Sequence, residues 1–368
     1  MNIGQMFLLG FDGCTLDRDH WLTDAIEQDG LGGVILFDRN VDGSVQNISG
    51  PAQLQELTAE LQEMAPELLF VAVDQEGGRV SRLKERDGFP DTASAAVLGR
   101  DDPEQSTAPA AAEMAATLAE HGVNLNLAPV VDLDLNPDNP IISRYERSFG
   151  SRADRVVAHA QAFIDAHHGQ SIGCCLKHFP GHGSGQGDTH LGFVDITGDW
   201  QARELDPYRR LFETGFTDAV MSAHVVHRGL DPSGLPATLS PVIINGMLRK
   251  ELGFSGVTIT DDLQMRAISD HGVTMTDDLQ MRAISDHYGY REAVQRAVLA
   301  GVDLMIVGNN LVRGQDALTE GIAAIQELLD RGTIDGDCIH ASLARIAVLK
   351  QKIKGDFPWK SVKPTAQP

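Results

Sequence analysis

Short apolar runs recur along almost the whole chain, and segments with helical spacing separate them. We identify eight such runs, at residues 6–10, 33–37, 69–73, 123–127, 172–177, 219–223, 257–260 and 303–307. Strands that are apolar on both faces and alternate with helices form a parallel sheet that helices cover. Eight strand–helix units predict an α/β protein with a single-domain (β/α)₈ barrel of the TIM type. A doubly wound sheet is the alternative, but no G-x-G-x-x-G sequence follows the first strand.

Several helix boundaries carry clear sequence signals. Ser240 and Pro241 supply a cap and a first-turn proline before VIINGMLRKELG. The stretch GYREAVQRAVLAG has helical spacing and ends at a glycine. We expect the barrel to occupy residues 1–350 and a C-terminal tail to occupy residues 351–368.

Charge and cysteine content limit the class of protein. The formal net charge of -22 argues against nucleic acid or an anionic membrane as a partner, because both need clustered Lys and Arg. Cys14, Cys174, Cys175 and Cys338 match no zinc spacing and are expected to be free thiols in a reducing compartment. The N-terminal sequence lacks the basic region of a signal peptide, and no apolar run approaches the ~20 residues of a membrane span. We therefore expect a cytoplasmic protein.

Polar side chains follow nearly every predicted strand. In a barrel the carboxyl ends of the strands share one face, where the chemistry gathers. The polar residues at or just after these strand ends are Asp74, Asp132, Arg147, Lys177, His178, His224, Asp261 and Asn309. We interpret Asp132, His224 and Asn309 as structural or supporting groups.

The segment KHFPGHGSGQGDTH, residues 177–190, combines glycines with titratable side chains. Its glycines permit unusual backbone angles and predict a mobile loop. In one interpretation Asp188 orients His190 as an acid/base pair, because a carboxylate on one imidazole nitrogen raises the basicity of the other. In another, His178, His182, Asp188 and His190 bind a metal, although their spacing is irregular. A phosphate-binding loop is a weaker third interpretation, since the G-K-[ST] ending is missing.

Three motifs, taken in order along the chain, resemble glycoside hydrolase family 3. They are DQEGGRVSR, KHFPGHG followed by D-x-H, and TDDLQM. The resemblance extends from about Gly10 to Asn309 and is greatest to the single-domain bacterial β-N-acetylhexosaminidases of cell-wall recycling. It implies a retaining exo-β-N-acetylglucosaminidase that removes terminal, non-reducing GlcNAc from anhydro-muropeptides. It also implies a small carbohydrate as the partner, and neither a cofactor nor a metal.

The same resemblance implies roles for individual residues. An aspartate of TDDLQM is similar to the family's nucleophile, His190 to its acid/base and Asp188 to the partner of that histidine. The implied sugar-binding residues are Asp74, Arg82, Arg147, Lys177 and His178. These roles suit a retaining glycosidase, which needs one carboxylate to attack the anomeric carbon and one acid to protonate the leaving oxygen. Asp74 and Arg82 also have a structural interpretation, as a strand-end carboxylate with its arginine partner.

A tandem repeat contains the seventh predicted strand and duplicates it. Residues 256–271 recur as residues 272–287 with a single difference, Ile259 against Met275. A closed eight-stranded barrel has room for only one copy. If the first copy forms the strand, the connection before it is short and the extra residues fall on the face where barrels tolerate insertions. If the second copy forms it, that connection grows to about 20 residues on the opposite face.

We therefore predict that the first copy forms the strand and that Asp261 is the nucleophile. Asp277, the equivalent residue of the second copy, is then an inert duplicate. The repeat leaves open a catalytically impaired sugar-binding homologue. The histidine loop leaves open a metal-dependent hydrolase on the same barrel.

Overall fold

The computed structural model describes residues 1–17, 19–40, 42–187, 194–263, 289–308 and 314–355. Asp188, His190, Asp277 and Asn309 lie outside the described residues, as does the second copy of the repeat. Most of the predicted tail, residues 356–368, also lies outside them.

Eight parallel strands form the central sheet, in the order β10-β1-β2-β3-β4-β5-β7-β9. Their bounds are β1 Phe7–Leu9, β2 Gly33–Ile35, β3 Phe70–Val73, β4 Leu125–Asn126, β5 Gly173–Phe179, β7 Ala219–Ser222, β9 Val257–Thr260 and β10 Met305–Val307. The two edges meet, because Thr260 N donates to Leu304 O at 3.0 Å and the Ile259–Leu304 bridge joins the last two strands. The predicted (β/α)₈ barrel is confirmed, and each of its strands overlaps the apolar run that predicted it.

Two further strands, β6 (Val194–Asp195) and β8 (Val225–Val226), pair with each other outside the barrel. The helices in the described ranges are α1 Trp21–Glu27, α2 Pro51–Met64, α3 Ala95–Leu98, α4 Thr107–Glu120, α5 Ala153–His168, α6 Asp206–Glu213, α7 Tyr290–Ala300, α8 Gly314–Asp330 and α9 Gly336–Lys352. A π-helix spans Val242–Glu251, and short 3₁₀ turns span Ile3–Met6, Glu85–Asp87, Ala202–Leu205 and Ala237–Leu239.

The predicted helix signals lie at helix ends. Ser240 Oγ accepts the N–H of Ile243 at 3.1 Å, in the first turn of the π-helix, but Pro241 is the N-cap residue, one position after the predicted cap. Helix α7 ends at Ala300, and its C-cap is Gly301, whose φ of 97° few other residues adopt. None of the helices within the described ranges is both long enough and apolar enough to cross a membrane.

Burial explains why the strands are mainly apolar in sequence. Every residue of the eight barrel strands is buried, because the barrel interior covers one face of each strand and the helices cover the other. The four cysteines are free thiols, as predicted, and Cys174 and Cys175 are buried in β5.

Strand β9 comes from the first copy of the repeat. It pairs with β7 in register from Val257 to Thr260. Only residues 252–256 connect it to the π-helix, which is the short connection that the sequence predicted. Asp261 follows the strand directly and therefore lies at the carboxyl end of the barrel.

Candidate active site

A cavity of about 430 Å³, including its open mouth, lies at the carboxyl ends of the strands. Five predicted site residues line the cavity: Asp74, Arg147, Lys177, His178 and Asp261. The remaining lining consists of Asp262 and the apolar side chains of Ile35, Phe37, Leu127, Met221 and Ile306. The cavity thus combines an apolar surface with a small number of charged groups.

A buried ion network joins the charged residues of the cavity. Lys177 Nζ lies 2.8 Å from Asp74 Oδ1 and 2.6 Å from Glu76 Oε1. Arg147 binds Glu76 through two hydrogen bonds, Nε to Oε2 and Nη2 to Oε1, each 2.8 Å long. Sequence reasoning gave Glu76 no role, although it belongs to the motif DQEGGRVSR. It is the carboxylate that links the third-strand and fifth-strand residues to Arg147.

The network keeps its two carboxylates ionised. Burial alone raises the pKa of Asp74, but Lys177 and Arg82 outweigh burial and lower that pKa to about 2. Burial likewise opposes Arg147 and Lys177 at Glu76, and these two cations lower its pKa to about 2. Near neutral pH both groups therefore accept hydrogen bonds and neither serves as a proton donor.

Arg82 lies behind the cavity rather than in its lining. Its side chain is 1% exposed, and its Nη2 lies 3.4 Å from Asp74 Oδ2. Its guanidinium group lies over the ring of Phe37, 5.2 Å from the centroid. This placement favours the structural interpretation, in which Arg82 fixes the charge and orientation of Asp74.

His178 is held by a partner at each ring nitrogen. Nδ1 lies 2.7 Å from Asp132 Oδ2, and Nε2 lies 3.2 Å from Arg147 Nη2. Burial, followed by the charges of Arg147 and Lys177, lowers the pKa of His178 well below its usual value. Because arginine can only donate, Nε2 accepts and the proton of the neutral ring sits on Nδ1, facing Asp132. Both nitrogens are thus engaged by protein groups, which disfavours the interpretation of His178 as a metal ligand.

Asp132 holds His178 and the start of the glycine-rich loop through hydrogen bonds. Its Oδ2 also accepts the backbone N–H of His178 at 3.1 Å, and its Oδ1 accepts the N–H of His182 at 2.9 Å. Burial raises the pKa of Asp132 to about 6, against the opposing effects of His182 and Arg147. Its supporting role agrees with the interpretation made from the sequence.

Asp261 stands at the end of β9 with its backbone fixed to the neighbouring strand. Its N–H donates to Ser222 O at 3.3 Å, and its Oδ1 accepts the N–H of Asp262 at 2.9 Å. Asp262 is buried, and its Oδ1 accepts the N–H of Gly308 at 2.9 Å. His224 Nε2 lies 3.0 Å from the carbonyl oxygen of Asp262. Asp261 and Asp262 both line the cavity, but Asp261 is half-buried, whereas Asp262 is buried and, with His224, fixes the strand end.

The glycine-rich loop is packed tightly as far as Gly185. Residues 177–185 are all buried. A Cβ atom on Gly183 would lie 1.7 Å from Leu133 O, and one on Gly181, with φ of 118°, would lie 2.6 Å from Glu204 Cβ. These glycines therefore permit close packing, and the mobility predicted from them does not apply to this part of the loop. Asp188 and His190 follow it, outside the described residues.

One group of side chains in the described ranges has the spacing of metal ligands, and it lies at the opposite end of the barrel. His168, Cys174 and Asp218 offer ligand atoms within 4.8 Å of one another. Asp218 is already satisfied there, because it accepts the N–H of Cys174 at 3.0 Å and pairs with Lys352 and His168. We therefore interpret this group as a structural ion pair.

Comparison with known proteins identifies the family. The sequence model of the Glycosyl hydrolase family 3 N terminal domain matches residues 2–274 and 270–349. The chain belongs to glycosyl hydrolase family 3. The two matched segments overlap at residues 270–274, at the junction of the two copies of the repeat.

Named relatives within the family are similar over most of this chain. "Beta-hexosaminidase" of Tolumonas auensis is 33% identical over 86% of this chain and 86% of that protein. "Beta-hexosaminidase A" of Pseudoalteromonas piscicida is 31% identical over 90% of this chain but 55% of that protein. The structure of a family 3 β-N-acetylglucosaminidase from Paenibacillus sp. str. FPU-7 superposes with a TM-score of 0.83 and 31% identity, covering 100% of this chain and 64% of that one. The chain thus spans less than two thirds of the length of the last two proteins.

Proposed function

We propose that this family 3 chain is a retaining exo-β-N-acetylglucosaminidase that hydrolyses terminal, non-reducing β-linked GlcNAc. The observation that carries the proposal is a single cavity in which the strand-end carboxylate of Asp261 faces Asp74, Arg147, Lys177 and His178. A carboxylate held at a strand end beside a fixed set of hydrogen-bonding groups suits attack on a bound sugar. The names of the relatives above support the same substrate class.

In the proposed reaction, Asp261 attacks the anomeric carbon as the bond to the leaving oxygen breaks. His190, oriented by Asp188, donates its proton to that oxygen, and the sugar stays bound to Asp261 as an ester. In the second step the neutral His190 takes a proton from water, and the water oxygen displaces Asp261 from the anomeric carbon. Two inversions restore the β configuration, and the enzyme returns to its starting protonation state.

The ion network would serve sugar binding. Asp74 is ionised and can accept hydrogen bonds from sugar hydroxyls, while Lys177 can donate to them. Glu76 holds Lys177 and Arg147 in place through bonds of 2.6–2.8 Å. A network prearranged in this way loses little conformational entropy when substrate binds.

For the natural substrate we propose GlcNAc linked to 1,6-anhydro-N-acetylmuramic acid, with chitooligosaccharides as the competing class. The test compares kcat/KM for the anhydro-disaccharide and for chitobiose. A higher kcat/KM for the anhydro-disaccharide supports the muropeptide assignment. A higher kcat/KM for chitobiose would reject it.

Stereochemistry tests the mechanism. Proton NMR of the first product released from an aryl GlcNAc β-glycoside should show the β-hemiacetal before mutarotation. Initial α-anomer would exclude the proposed ester. Binding of the glycoside without release of its phenol would favour the impaired sugar-binding homologue, and loss of activity after dialysis against a chelator would favour the metal-dependent hydrolase.

A further inference from the structure

We propose that Glu204 is a positioning residue for the acid/base: its buried carboxylate fixes the part of the loop from which the chain runs to Asp188 and His190. The inference rests on the function proposed above, in which His190 is the acid/base. Glu204 does not line the cavity that contains Asp261. It would therefore act through the loop and not on the substrate.

The contacts of Glu204 are those of a carboxylate used to hold backbone. Its side chain belongs to the 3₁₀ turn Ala202–Leu205 and is 1% exposed. Oε2 accepts the N–H of Gly183 at 3.0 Å, and Oε1 accepts the hydroxyl of Ser184 at 2.5 Å. Oε1 also accepts the N–H of Gln201 at 3.2 Å. Two of its three donors thus come from consecutive residues of the loop.

The loop also packs against Glu204 through its backbone. Gly181 approaches so closely that a Cβ atom there would lie 2.6 Å from Glu204 Cβ. Since ordinary Cβ contacts are longer than 3 Å, only glycine fits this position without a shift of one element. Trp200 adds a further attachment, because its Nε1 donates to Pro180 O at 3.1 Å.

The other side of the loop is held by the segment that follows β4. Asp132 Oδ1 accepts the N–H of His182, and Asn139 Nδ2 donates to His182 O at 2.8 Å and to Gly185 O at 2.9 Å. Residues 181–185 are therefore fixed between this segment and Glu204. Glu204→Gln replaces one of the two acceptor oxygens by an NH2 group, so the N–H of either Gly183 or Gln201 loses its acceptor.

Sequence distance explains why this fixation matters for catalysis. Asp188 is four residues after Ser184, and His190 is six. General acid catalysis needs the donor within hydrogen-bond reach of the leaving oxygen, and displacements of about 1 Å can cost two orders of magnitude in rate. The role that we infer for Glu204 is to prevent a shift of Gly183 and Ser184, which precede Asp188 and His190 in the chain.

The test is a comparison of leaving groups. We would measure kcat/KM of Glu204→Gln for two GlcNAc β-glycosides, one with the acidic leaving group 2,4-dinitrophenol and one with phenol. Burial raises the pKa of Glu204 to about 7, although the hydrogen bonds from Ser184 and Gln201 oppose that rise. The assay is therefore run at pH 8, where Glu204 is mostly ionised. We expect a loss of about tenfold or more for the phenyl glycoside and little loss for the dinitrophenyl glycoside, which needs little protonation. Equal losses for both substrates would overturn the inference.

Asp231→Asn is the matched control. Asp231 is a buried carboxylate that also accepts a serine hydroxyl, from Ser240 at 2.5 Å, and a backbone N–H, from Ser233 at 2.9 Å. Neither of these partners belongs to the glycine-rich loop, so the Asp231→Asn variant should not become selective for the leaving group. If Glu204→Gln does not fold, Ser184→Ala removes one of the same contacts and should show the same selectivity in weaker form.

A double variant separates this inference from the proposed function. If Glu204 acts through His190, then Glu204→Gln should cause no further loss in a His190→Ala background. Additive losses would overturn the positioning role. If His190→Ala itself leaves the phenyl glycoside unaffected, the assignment of the acid/base fails first, and that result is visible without the Glu204 variant.

Discussion

Glu76 balances two buried cations at once. It accepts two hydrogen bonds from Arg147 and lies 2.6 Å from Lys177, and its side chain is 3% exposed. The network can be buried only because each charge has partners of opposite sign, since an uncompensated ion in a protein interior is strongly unfavourable. The cavity therefore depends on a residue that does not line it.

Glu76→Gln should destabilise the protein by about 3–5 kcal/mol, because the change leaves Arg147 and Lys177 short of negative charge. Urea unfolding, followed by far-UV circular dichroism, gives the free energy of unfolding. Asp154→Asn is the control: Asp154 pairs with Arg152 at the surface, with side chains 53% and 77% exposed, and its loss should change stability little. Similar effects of the two variants would contradict the importance assigned to the buried network.

At the scale of elements, the repeat adds residues after β9 and leaves the strand itself intact. The first copy supplies every residue of β9 together with Asp261 and Asp262. Its buried Thr260 also joins β9 to β10, because its Oγ1 accepts the N–H of Ile306 at 2.9 Å. All contacts described for the seventh barrel strand are thus made by one copy.

Deleting residues 272–287 should preserve both the fold and the activity, because it removes only the second copy. A shorter connection before α7 has a smaller entropic cost of closure, so we expect the protein to be more stable by about 1 kcal/mol or less. Deleting residues 256–271 instead yields a chain of the same length that differs only by Met in place of Ile259. The two deletions should therefore differ by less than about 1.5 kcal/mol in thermal unfolding. An inactive chain after the first deletion would show that the second copy contributes to the site.

How far the sequence predicted these elements depends on what formed each of them. The eight barrel strands are buried on both faces, so each lies in a mainly apolar stretch that the sequence pattern reveals. Strands β6 and β8 are two residues long and leave no such pattern. The roles of Glu76 and Glu204 depend on partners 71 and 21 residues away, which local patterns do not indicate. Mobility was predicted around Gly183 because the sequence does not reveal that the carbonyl oxygen of Leu133 packs against this glycine.

For the whole molecule, four buried carboxylates around the site form two pairs with opposite effects on stability. The pKa values of Asp74 and Glu76 are lowered to about 2, so their ionised forms stabilise the fold above pH ~4 and that contribution is lost as the pH falls toward 2. Burial raises the pKa of Asp132 to about 6 and that of Glu204 to about 7. Their protonated forms stabilise the fold, and that contribution is lost as the pH rises from about 4 to 7.

These opposite effects predict a maximum in the free energy of unfolding between pH 4 and 6. Urea unfolding over pH 3 to 8 measures the curve. In Glu204→Gln the free energy of unfolding should decline less above pH 5. The change alters the net charge of -22 by only one unit, so a general charge effect would not explain that result. A curve that rises steadily from pH 4 to 8 would contradict the placement of Asp132 and Glu204 as buried carboxylates with raised pKa values.

The most direct test of the central claim is to trap the glycosyl-enzyme and find the labelled residue. A 5-fluoro-GlcNAc β-fluoride reacts quickly in the first step and slowly in the second, because the ring fluorine disfavours the oxocarbenium-like transition state while fluoride leaves readily. Trypsin then places Asp261 in the peptide 251–266 and Asp277 in the different peptide 267–282, so mass spectrometry distinguishes the two copies. We predict stoichiometric label on Asp261. Label on Asp277, or turnover with no covalent label at all, would contradict the account.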